Sequence, residues 1–300
     1  MRRSSLRPHA LAPLPAEDLL SDQQFRQLAT LVEDHAGIRL PPAKKTMVEG
    51  RLRRRVRAHG LASINAYFDT FVHAGMPDDE FVHLIDAMTT NKTDFFREPD
   101  HFTFLQNEAV PHLLARRPGK MLKIWSSASS TGAEPYTIAM VMSELRLRMH
   151  NALQFSILGT DISTDALRQA ALAIYPEDMM EPVPPPMLRR YVMHARDPER
   201  RTVRIVPELR RIVRYQRLNL MDASYAVDRD QDIIFCRNVL IYFDRPTQQA
   251  VIGRLCEHLR PGGYLILGHS EAAVGSYHAC LHQVSPTIFL YEPAERSEAA

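Results

Sequence analysis

The chain is poor in the residues on which disulfide-stapled and membrane-inserted folds depend. It has three cysteines, Cys236, Cys256 and Cys280, which are too few and too irregularly spaced for a disulfide framework or a zinc site. No apolar run reaches the roughly 20 residues needed to cross a bilayer. The first 15 residues carry arginines but no apolar core, so they do not read as a secretory signal. These absences favour a protein of the reducing cytoplasm with no membrane insertion.

An excess of charge of one sign is also missing. The formal net charge is +2 at pH 7, so the whole chain lacks the strongly basic balance of a nucleic-acid binder. Its apolar content of 45% and charged content of 24% are those of an ordinary globular protein. Its length allows one large domain or two modest ones. We expect a monomer with a disordered, Pro- and Ser-containing leader over residues 1–18.

Helical patterns dominate the first third of the sequence. Ser21 is a possible N-cap for a helix over residues 21–34, which Gly37 ends. Further helices are predicted over residues 43–59, 63–74 and 78–89. Together they predict an all-α domain over residues 19–95, followed by a linker helix within residues 96–118.

Beyond residue 118, strands alternate with helices. The predicted strands cover residues 121–125, 155–159, 232–236, 264–268 and, as an edge strand, 286–291. The predicted helices cover residues 135–149, 164–174 and 247–259. This alternation predicts an α/β domain over residues 119–293, with a parallel, doubly wound sheet covered on both faces.

One interval, about residues 182–217, does not fit this alternation. It begins with a Pro-rich turn region. Two runs of alternating apolar and polar residues follow, over 202–206 and 211–215, separated at Pro207. The pattern predicts a small antiparallel β-hairpin subdomain inserted in the α/β domain.

Two polar segments that lie far apart in the sequence stand out. Asn91-Lys-Thr-Asp-Phe-Phe-Arg-Glu-Pro99 crowds amide, hydroxyl, guanidinium and carboxylate groups around two Phe rings. The apolar run Phe235-Cys-Arg-Asn-Val-Leu-Ile-Tyr-Phe-Asp244 is broken by Arg237 and Asn238. A buried strand does not carry such groups unless it ends at a site that uses them. The pair predicts one cleft between two domains.

Small residues and two acids mark the ends of the first two predicted strands, where open α/β sheets bind ligands. The loop over residues 126–132 lets a ligand approach the backbone and precedes a helix N-terminus. It lacks Gly-x-Gly-x-x-Gly and carries Glu134 where a pyrophosphate would lie, which favours a cationic ligand such as S-adenosylmethionine. Asp161 is placed to accept hydrogen bonds from ribose hydroxyls. Alternatively, Glu134 is only a first-turn acid that the helix dipole favours.

Five segments follow one another in a characteristic order. They are Thr90-Asn-Lys-Thr-Asp-Phe-Phe-Arg-Glu98, Trp125-Ser-Ser-Ala-Ser-Ser-Thr-Gly-Ala-Glu-Pro-Tyr136, Arg217-Leu-Asn-Leu220, Phe235-Cys-Arg-Asn-Val-Leu-Ile-Tyr-Phe-Asp244 and Gly268-His-Ser-Glu271. In this order the chain resembles, from about residue 20 to residue 292, the chemotaxis receptor glutamate methyltransferases (the CheR family). The resemblance implies an all-α N-terminal domain and a Rossmann-like S-adenosylmethionine-dependent methyltransferase domain with an inserted antiparallel β-subdomain. It also implies methylation of receptor glutamates, with S-adenosylhomocysteine as the product and no metal.

The resemblance also assigns site residues, each by its position in a matching motif. The implied cofactor contacts are Asn91, Thr93, Arg97, Glu134, Asp161, Asn219, Leu220, Arg237 and Asn238. Arg97 and Tyr242 would lie nearest the transferred methyl group and the incoming carboxylate, and they are the candidate catalytic residues. Without the resemblance, Tyr242 is better interpreted as a core aromatic residue beside Phe243, and Asn219 as a turn residue.

Basic residues crowd the helix predicted over residues 43–59. Val48, Leu52 and Val56 form its buried stripe, and the candidate docking residues lie on an arc beside that stripe: Lys44, Arg51, Arg54 and Arg55. A solvated charged face is the ordinary interpretation, but a one-sided cluster with almost no acid should attract an acidic partner. The family docks this domain on the acidic helical methylation region of chemotaxis receptors. RNA binding is the competing interpretation, although no aromatic stacking platform is interleaved with the basic residues.

Two other classes of function stay open. A methyltransferase acting on nucleic acid or a small molecule would share the cofactor motifs but not the paired segments 91–98 and 237–244. A non-catalytic, cofactor-sensing module would have lost a site residue. In some family members the inserted subdomain grips a peptide at the receptor C-terminus. Residues 194–201 contain no Gly here, so we expect docking through the basic helix alone.

Overall fold

The chain divides into two compact units between Thr89 and Thr90. The computed structural model describes residues 18–276 and 278–293. The leader predicted over residues 1–18 therefore lies outside the described residues, except for Asp18. Asp18 is buried and its carboxylate accepts a hydrogen bond from the backbone N–H of Ile64 at 2.7 Å, so it belongs to the first unit. No helix among the described residues is long and apolar enough to cross a membrane.

The first unit is all-α, as predicted. Ser21 caps its first helix in a capping box, and Gly37 ends that helix in the left-handed conformation. The predicted stripe Val48, Leu52 and Val56 is fully buried. The helices are α1 (Asp22–Ala36), α2 (Lys45–Ala58), α3 (Ile64–Tyr67), which a π-helical turn (Phe68–Val72) extends, and α4 (Asp78–Met88).

Arg51 and Arg55, which are predicted docking residues, have partners inside this unit. Arg51 donates through Nη1 to the backbone carbonyls of Met88 and Thr89 at 2.9 and 2.8 Å, at the end of α4. Arg55 pairs with Glu80, also on α4. Arg51 and Arg55 therefore stabilise the packing of α2 against α4, a role that the sequence analysis did not assign to them.

A buried carboxylate joins α2, α3 and α4. Glu80 is 3% exposed and accepts hydrogen bonds from Arg55 and His59 at the end of α2 and from the hydroxyl of Tyr67 at the end of α3. Burial alone would raise the pKa of Glu80, but the hydrogen bonds from Arg55, Tyr67 and His59 outweigh it and lower this pKa below the ordinary value of 4.5. The carboxylate is thus bound in its charged form.

Acidification should therefore weaken this unit. Because the pKa of Glu80 is lower in the folded than in the unfolded chain, its contribution to stability is complete above pH 4.5 and is lost as the pH falls through the folded pKa. We expect Glu80→Gln to lower the free energy of unfolding at pH 7 and to flatten its acid dependence, measured by urea unfolding of the full chain between pH 7 and about 3. Glu33→Gln, which removes an exposed pair with Arg39, is the control. Equal acid sensitivity in Glu80→Gln and the parent chain would contradict this role.

The second unit contains a mixed seven-stranded sheet and a separate three-stranded antiparallel sheet. The strands are β1 (Leu122–Ser126), β2 (Phe155–Asp161), β3 (Ile174–Pro176), β4 (Val192–His194), β5 (Thr202–Ile205), β6 (Val213–Arg217), β7 (Gln231–Cys236), β8 (Leu259–Leu267), β9 (Leu281–Ser285) and β10 (Ile288–Tyr291). The large sheet has the order β6-β2-β1-β7-β8-β10-β9. Its first five strands in this order are parallel, and β10 runs antiparallel to both of its neighbours. The α/β sheet that the sequence predicts is confirmed.

Helices cover both faces of this sheet. Along β7, Ile233 and Phe235 belong to one apolar cluster, whereas Ile234 and Cys236 belong to the other. Both faces are buried, which explains the continuous apolar run of this strand. The helices are α5 (Asp100–Phe104), α6 (Val110–Arg116), α7 (Ala133–Arg148), α8 (Thr164–Leu172), α9 (Pro185–Tyr191), α10 (Pro207–Ile212), α11 (Arg245–His258) and α12 (Ala272–Gly275).

The predicted antiparallel β-subdomain is confirmed as the three-stranded sheet, but the β-hairpin predicted within residues 182–217 is wrong in its pairing. The first of its two runs forms β5, which pairs antiparallel with β3 and β4 in the small sheet. The second run forms β6, which pairs parallel with β2 at the edge of the large sheet. Helix α10 separates the two runs, so the chain leaves one sheet and enters the other. Apolar alternation predicts a strand but does not select its partner.

Two further predictions need correction. Strand β10 is not an edge strand, because β9, which is mostly exposed, pairs with its outer side. The helix predicted as a linker comprises α5, a π-helical turn (Leu105–Ala109) and α6, and it lies within the second unit. Phe102, Leu105 and Leu113 are buried in the core of that unit, so this helix is part of the α/β fold.

Candidate active site

The carboxyl ends of the parallel strands carry several of the predicted site residues at the switch point of the sheet. From β1 the chain proceeds to β2 on one side, while β7 lies on the other side of β1. In register, Ser126 at the end of β1 faces Gly159 of β2 and Phe235 of β7. Loops that leave such neighbouring strands diverge, which makes this edge the ligand-binding position of a doubly wound sheet.

The loop after β1 is tied to both neighbouring strands. The backbone N–H of Ser127 donates to the carbonyl of Phe235 at 2.8 Å, and that of Ser129 to the carbonyl of Thr160 at 2.8 Å. Asp161, at the end of β2, accepts from the backbone N–H of Ser130 at 2.8 Å. The small residues of this loop therefore fix the predicted ribose-binding carboxylate as well as the loop itself.

Glycine is required where this loop becomes α7. Gly132 has φ 92°, and a Cβ there would lie 2.7 to 2.9 Å from the hydroxyl of Tyr215, the Cβ of Ala170 and the hydroxyl of Tyr175. Such separations are too short for any side chain, and the φ is one that glycine adopts without strain. The glycine thereby sets where α7 starts, and with it the position of Glu134.

A buried guanidinium links the two polar segments that the sequence singles out. Arg237, which follows β7, has a side chain only 2% exposed and donates through Nη1 to Glu134 at 2.9 Å and through Nη2 to Glu98 at 3.1 Å. It also donates to the backbone carbonyl of Arg97. The other oxygen of Glu134 accepts from Ser126 Oγ at 2.7 Å. Glu134 is therefore the counterion of a buried guanidinium, and it is more than an acidic residue that the helix dipole favours in the first turn.

Glu98 is a site residue that the sequence analysis did not assign, although it lies within the first motif. Its carboxylate accepts from Asn238 Nδ2 at 3.1 Å, from Arg237 at 3.1 Å and from the backbone N–H of His269 at 3.3 Å. Burial alone would raise the pKa of Glu98, but Asn238 and Arg237 lower it below its ordinary value. Phe96 and Glu98 both have positive φ, 53° and 57°. Such backbone strain persists only where surrounding contacts hold it.

A second unassigned carboxylate anchors the loop after β7. Glu271 is 1% exposed and accepts from the backbone N–H groups of Asn238 at 2.8 Å, Leu240 at 2.7 Å and Gly268 at 2.8 Å. Burial raises the pKa of Glu271 despite these hydrogen bonds. The fifth motif, Gly268-His-Ser-Glu271, thus joins the end of β8 to the segment that carries Arg237. The motif marks Glu271 in the sequence, but nothing in its pattern of residues indicates that this carboxylate anchors a loop.

Two more predicted residues lie beside Asp161. Asn91 donates through Nδ2 to Ser163 Oγ at 3.3 Å, and its backbone carbonyl accepts from Ser130 Oγ at 2.9 Å. The carbonyl of Asp161 accepts from the backbone N–H of Leu218 at 3.0 Å, which brings the end of β6 next to it. Asn219 therefore lies near this edge, and its Oδ1 accepts from the backbone N–H two residues ahead at 3.0 Å, as expected of a turn residue.

The remaining predicted residues differ in exposure. Leu220 is 6% exposed, and its side chain packs in an apolar cluster. This packing does not favour a cofactor contact through the Leu220 side chain. Thr93 and Tyr242 are half-buried, whereas Phe243 lies in the core. The side chain of Arg97 is 36% exposed; its Nη1 lies 3.5 Å from the carbonyl of Lys92 and its Nε 4.0 Å from Glu98. Arg97 is thus held much less tightly than Arg237.

The donors and acceptors of this edge fit S-adenosylmethionine. The cofactor carries an ammonium group, a sulfonium and ribose hydroxyls, and the edge supplies the carboxylates of Glu134 and Asp161 at the ends of the strand-to-helix connections. A carboxylate has about four acceptor positions, and Glu134 uses two of them for Ser126 and Arg237. The loop between them presents small side chains, which permits close approach to the backbone.

Comparison with known proteins agrees with this geometry. Residues 91–288 match the family model described as the CheR methyltransferase, SAM binding domain, and residues 23–89 match that of the CheR methyltransferase, all-alpha domain. The chain is 37% identical over 272 residues to chemotaxis protein methyltransferase 2 of Pseudomonas aeruginosa, covering 91% of this chain and 93% of that protein. It is 38% identical over 252 residues to the chemotaxis protein methyltransferase of Escherichia coli, covering 84% and 85%. Both family domains are thus present in order, and the chain belongs to the CheR family of S-adenosylmethionine-dependent chemotaxis methyltransferases.

Proposed function

We propose that this enzyme methylates glutamate γ-carboxylates in the cytoplasmic methylation region of chemotaxis receptors, giving glutamate methyl esters and S-adenosylhomocysteine. The observation that carries the proposal is the contrast between two arginines. Arg237 is buried and neutralised by Glu98 and Glu134, whereas Arg97 is partly exposed beside them. Arg97 is therefore the guanidinium that can receive an incoming carboxylate at this edge. Relatives named chemotaxis protein methyltransferases support the same conclusion.

S-adenosylmethionine, when bound, supplies an activated methyl group on a sulfonium. Glu134 would hold its ammonium-bearing end and Asp161 its ribose. The other residues of the proposed binding set are Asn91, Thr93, Arg97, Asn219, Arg237 and Asn238, with Leu220 contributing its backbone.

The chain's own contribution to the reaction is orientation. A glutamate acceptor is already ionised at neutral pH, since its ordinary pKa is about 4.3, so the site needs no general base. Arg97 would align the carboxylate oxygen with the carbon it attacks, and Tyr242 would border the same position. Transfer would form a C–O bond as the methyl–sulfur bond breaks, and the electron pair of that bond would stay on sulfur. Positioning of this kind contributes on the order of 7–11 kcal/mol in well-oriented reactions.

Arg97→Ala should lose far more activity than Tyr242→Phe. Loss of the orienting guanidinium should lower kcat by about 100-fold, the cost of a misplaced reactant. Removal of one hydroxyl should cost about 1 kcal/mol, or roughly fivefold. Initial rates of methyl transfer to receptor fragments, at saturating S-adenosylmethionine, measure both, with urea unfolding as the control for an intact fold. Near-normal turnover of both variants would refute the assignment.

Docking is proposed for the part of α2 that internal contacts leave exposed. Arg54 is exposed, whereas Arg51 and Arg55 contact α4. Lys44 immediately precedes the helix. Arg54→Glu should raise KM for an acidic receptor fragment roughly fivefold, as expected for about 1 kcal/mol from an exposed charge, and leave cofactor affinity unchanged. Arg168→Glu, an exposed arginine on α8, is the charge-matched control. An equal effect of both variants would rule out docking through α2.

The proposal is tested by transfer of labelled methyl groups to isolated receptor cytoplasmic fragments. Methyl esters release methanol in base, whereas N-methyl groups do not, so base-labile label on the fragments supports carboxylate methylation. Tight cofactor binding without transfer to any receptor fragment would reject the proposal. It would favour a nucleic-acid or small-molecule acceptor, or a cofactor-sensing role.

A further inference from the structure

A group of three potential metal ligands lies at the end of β8, and the sequence gives no sign of it. Glu98 lies just before α5, His101 lies in its first turn, and His269 follows β8. One ligand atom from each, a carboxylate oxygen or a ring nitrogen, lies within 4.8 Å of the others. In a tetrahedral zinc site the ligand atoms are about 3.4 Å apart, because metal–ligand bonds are about 2.1 Å. Small side-chain rotations would close that difference, and His269 is exposed and able to make them.

The buried nitrogen of His101 gives an independent indication. The His101 side chain is 2% exposed, and its Nδ1 has no hydrogen-bond partner. This nitrogen faces Glu98 Oε2 at 3.6 Å, which is too long for a hydrogen bond. Buried polar atoms are normally satisfied, so an orphan that faces a carboxylate needs an explanation. A cation between the two atoms would give the buried nitrogen its missing partner.

The other ring nitrogen of His101 already has the partner that metal-binding histidines use. His101 Nε2 lies 2.6 Å from Thr287 Oγ1, and Thr287 is buried. When Nε2–H donates to this hydroxyl, Nδ1 carries the lone pair that a metal requires. Such second hydrogen bonds fix the tautomer and the ring orientation of metal-binding histidines. The His101 and His269 rings meet edge to face at 5.4 Å, so both imidazoles border the same point.

The Glu98 oxygen that faces His101 already has two partners. Oε2 accepts from Arg237 Nη2 and from the backbone N–H of His269, whereas Oε1 accepts from Asn238. Since a carboxylate oxygen offers about two acceptor positions, a cation at Oε2 would take the place of one of these donors. The nearby guanidinium of Arg237 repels a cation, so an occupied site would compete with Arg237 for this carboxylate. The ligand set, two imidazoles and one carboxylate with an open position, is that of zinc sites that also hold water.

We propose that Glu98, His101 and His269 form a binding site for a divalent zinc-like cation, and that this cation competes with the Glu98–Arg237 contact. The inference goes beyond methyl transfer, since it concerns metal binding by the protein without its substrate.

Zinc titration of the full chain by isothermal calorimetry, without cofactor or receptor, tests the proposal. We expect one tight site per chain. His269→Ala, which changes an exposed side chain, should weaken it by at least about 10- to 100-fold, the range already seen for loss of an outer hydrogen-bond partner. Thr287→Val should weaken it by about tenfold, because the ring of His101 loses its orienting hydroxyl. His150→Asn, at an exposed histidine just beyond α7, is the control and should bind zinc as the parent chain does.

Absence of a tight site, or unchanged affinity in His269→Ala, would overturn the proposal. Unchanged zinc affinity in Thr287→Val would show that His101 is not a ligand, and it would overturn the proposal as well. The same holds if His150→Asn loses as much zinc affinity as His269→Ala. Competition with Arg237 has its own readout, because saturating zinc should weaken S-adenosylhomocysteine binding to the parent chain but not to His269→Ala. Equal cofactor affinity with and without zinc would refute the competition. None of these measurements depends on methyl transfer, so failure here is distinct from failure of the proposed function.

Discussion

Arg237→Ala should destabilise the second unit by about 3–5 kcal/mol, the usual cost of removing one partner from a buried ion pair. The side chain is 2% exposed and neutralises Glu98 and Glu134, whose side chains are 11% and 10% exposed. Without it, two carboxylates remain close together in a poorly solvated region. They should repel each other and release the backbone of Arg97, which Arg237 also holds. Cofactor binding should be lost with this geometry, as measured by calorimetry with S-adenosylhomocysteine beside urea unfolding.

Two further variants separate charge from geometry. Arg237→Lys keeps the charge but cannot reach both carboxylates with a planar fork, so we expect intermediate stability and still weak cofactor binding. Arg168→Ala breaks an exposed pair with Asp165 and should cost no more than about 1 kcal/mol. If Arg237→Ala proved as mild as Arg168→Ala, the buried ion-pair network would not be what holds this site.

The sequence predicts the position of the site better than its internal contacts. The ends of strands can be predicted because apolar runs stop where polar residues begin, as at Arg237 and Asp161. Both lie at the carboxyl edge of the sheet, where the pattern places them. The pairing of Arg237 with Glu98 and Glu134 joins residues 139 and 103 positions apart. Such pairing depends on how the loops pack, and no local period records it.

Strand partners are harder to predict for the same reason. β5 and β6 have equal alternation, yet they belong to different sheets. The choice is made by the short helix α10 and by the open edge of β2, which accepts β6 in parallel. Parallel pairing needs a crossover connection, and residues 162–212 supply it as a whole. A prediction built on adjacent runs necessarily favours a hairpin and misses this connection.

Glu271→Ala should cost about 3 kcal/mol or more, because it leaves three N–H groups, largely cut off from solvent, without an acceptor at about 1–3 kcal/mol each. Those groups belong to Asn238, Leu240 and Gly268. The left-handed backbone of Asn238, with φ 58°, should then relax. Since Asn238 donates to Glu98, the loss should spread to the site, and cofactor affinity should fall together with stability.

The amide variant distinguishes anchoring from a need for charge. Glu271→Gln keeps the shape and one acceptor oxygen, but it places an NH₂ group against a backbone N–H group, so two donors face each other. Its stability should therefore lie between that of the parent chain and that of Glu271→Ala. Glu257→Ala, which removes an exposed carboxylate on α11, should stay within about 0.5 kcal/mol of the parent chain. Urea unfolding gives the three free energies, and calorimetry gives the cofactor affinity of each variant. Weaker cofactor binding in Glu271→Gln at near-parent stability would show that the acceptor pattern of this carboxylate positions Arg237 and Asn238. If stability falls while cofactor affinity stays at the parental value, Glu271 stabilises the fold but does not position the site. The loop would then keep its geometry without this carboxylate.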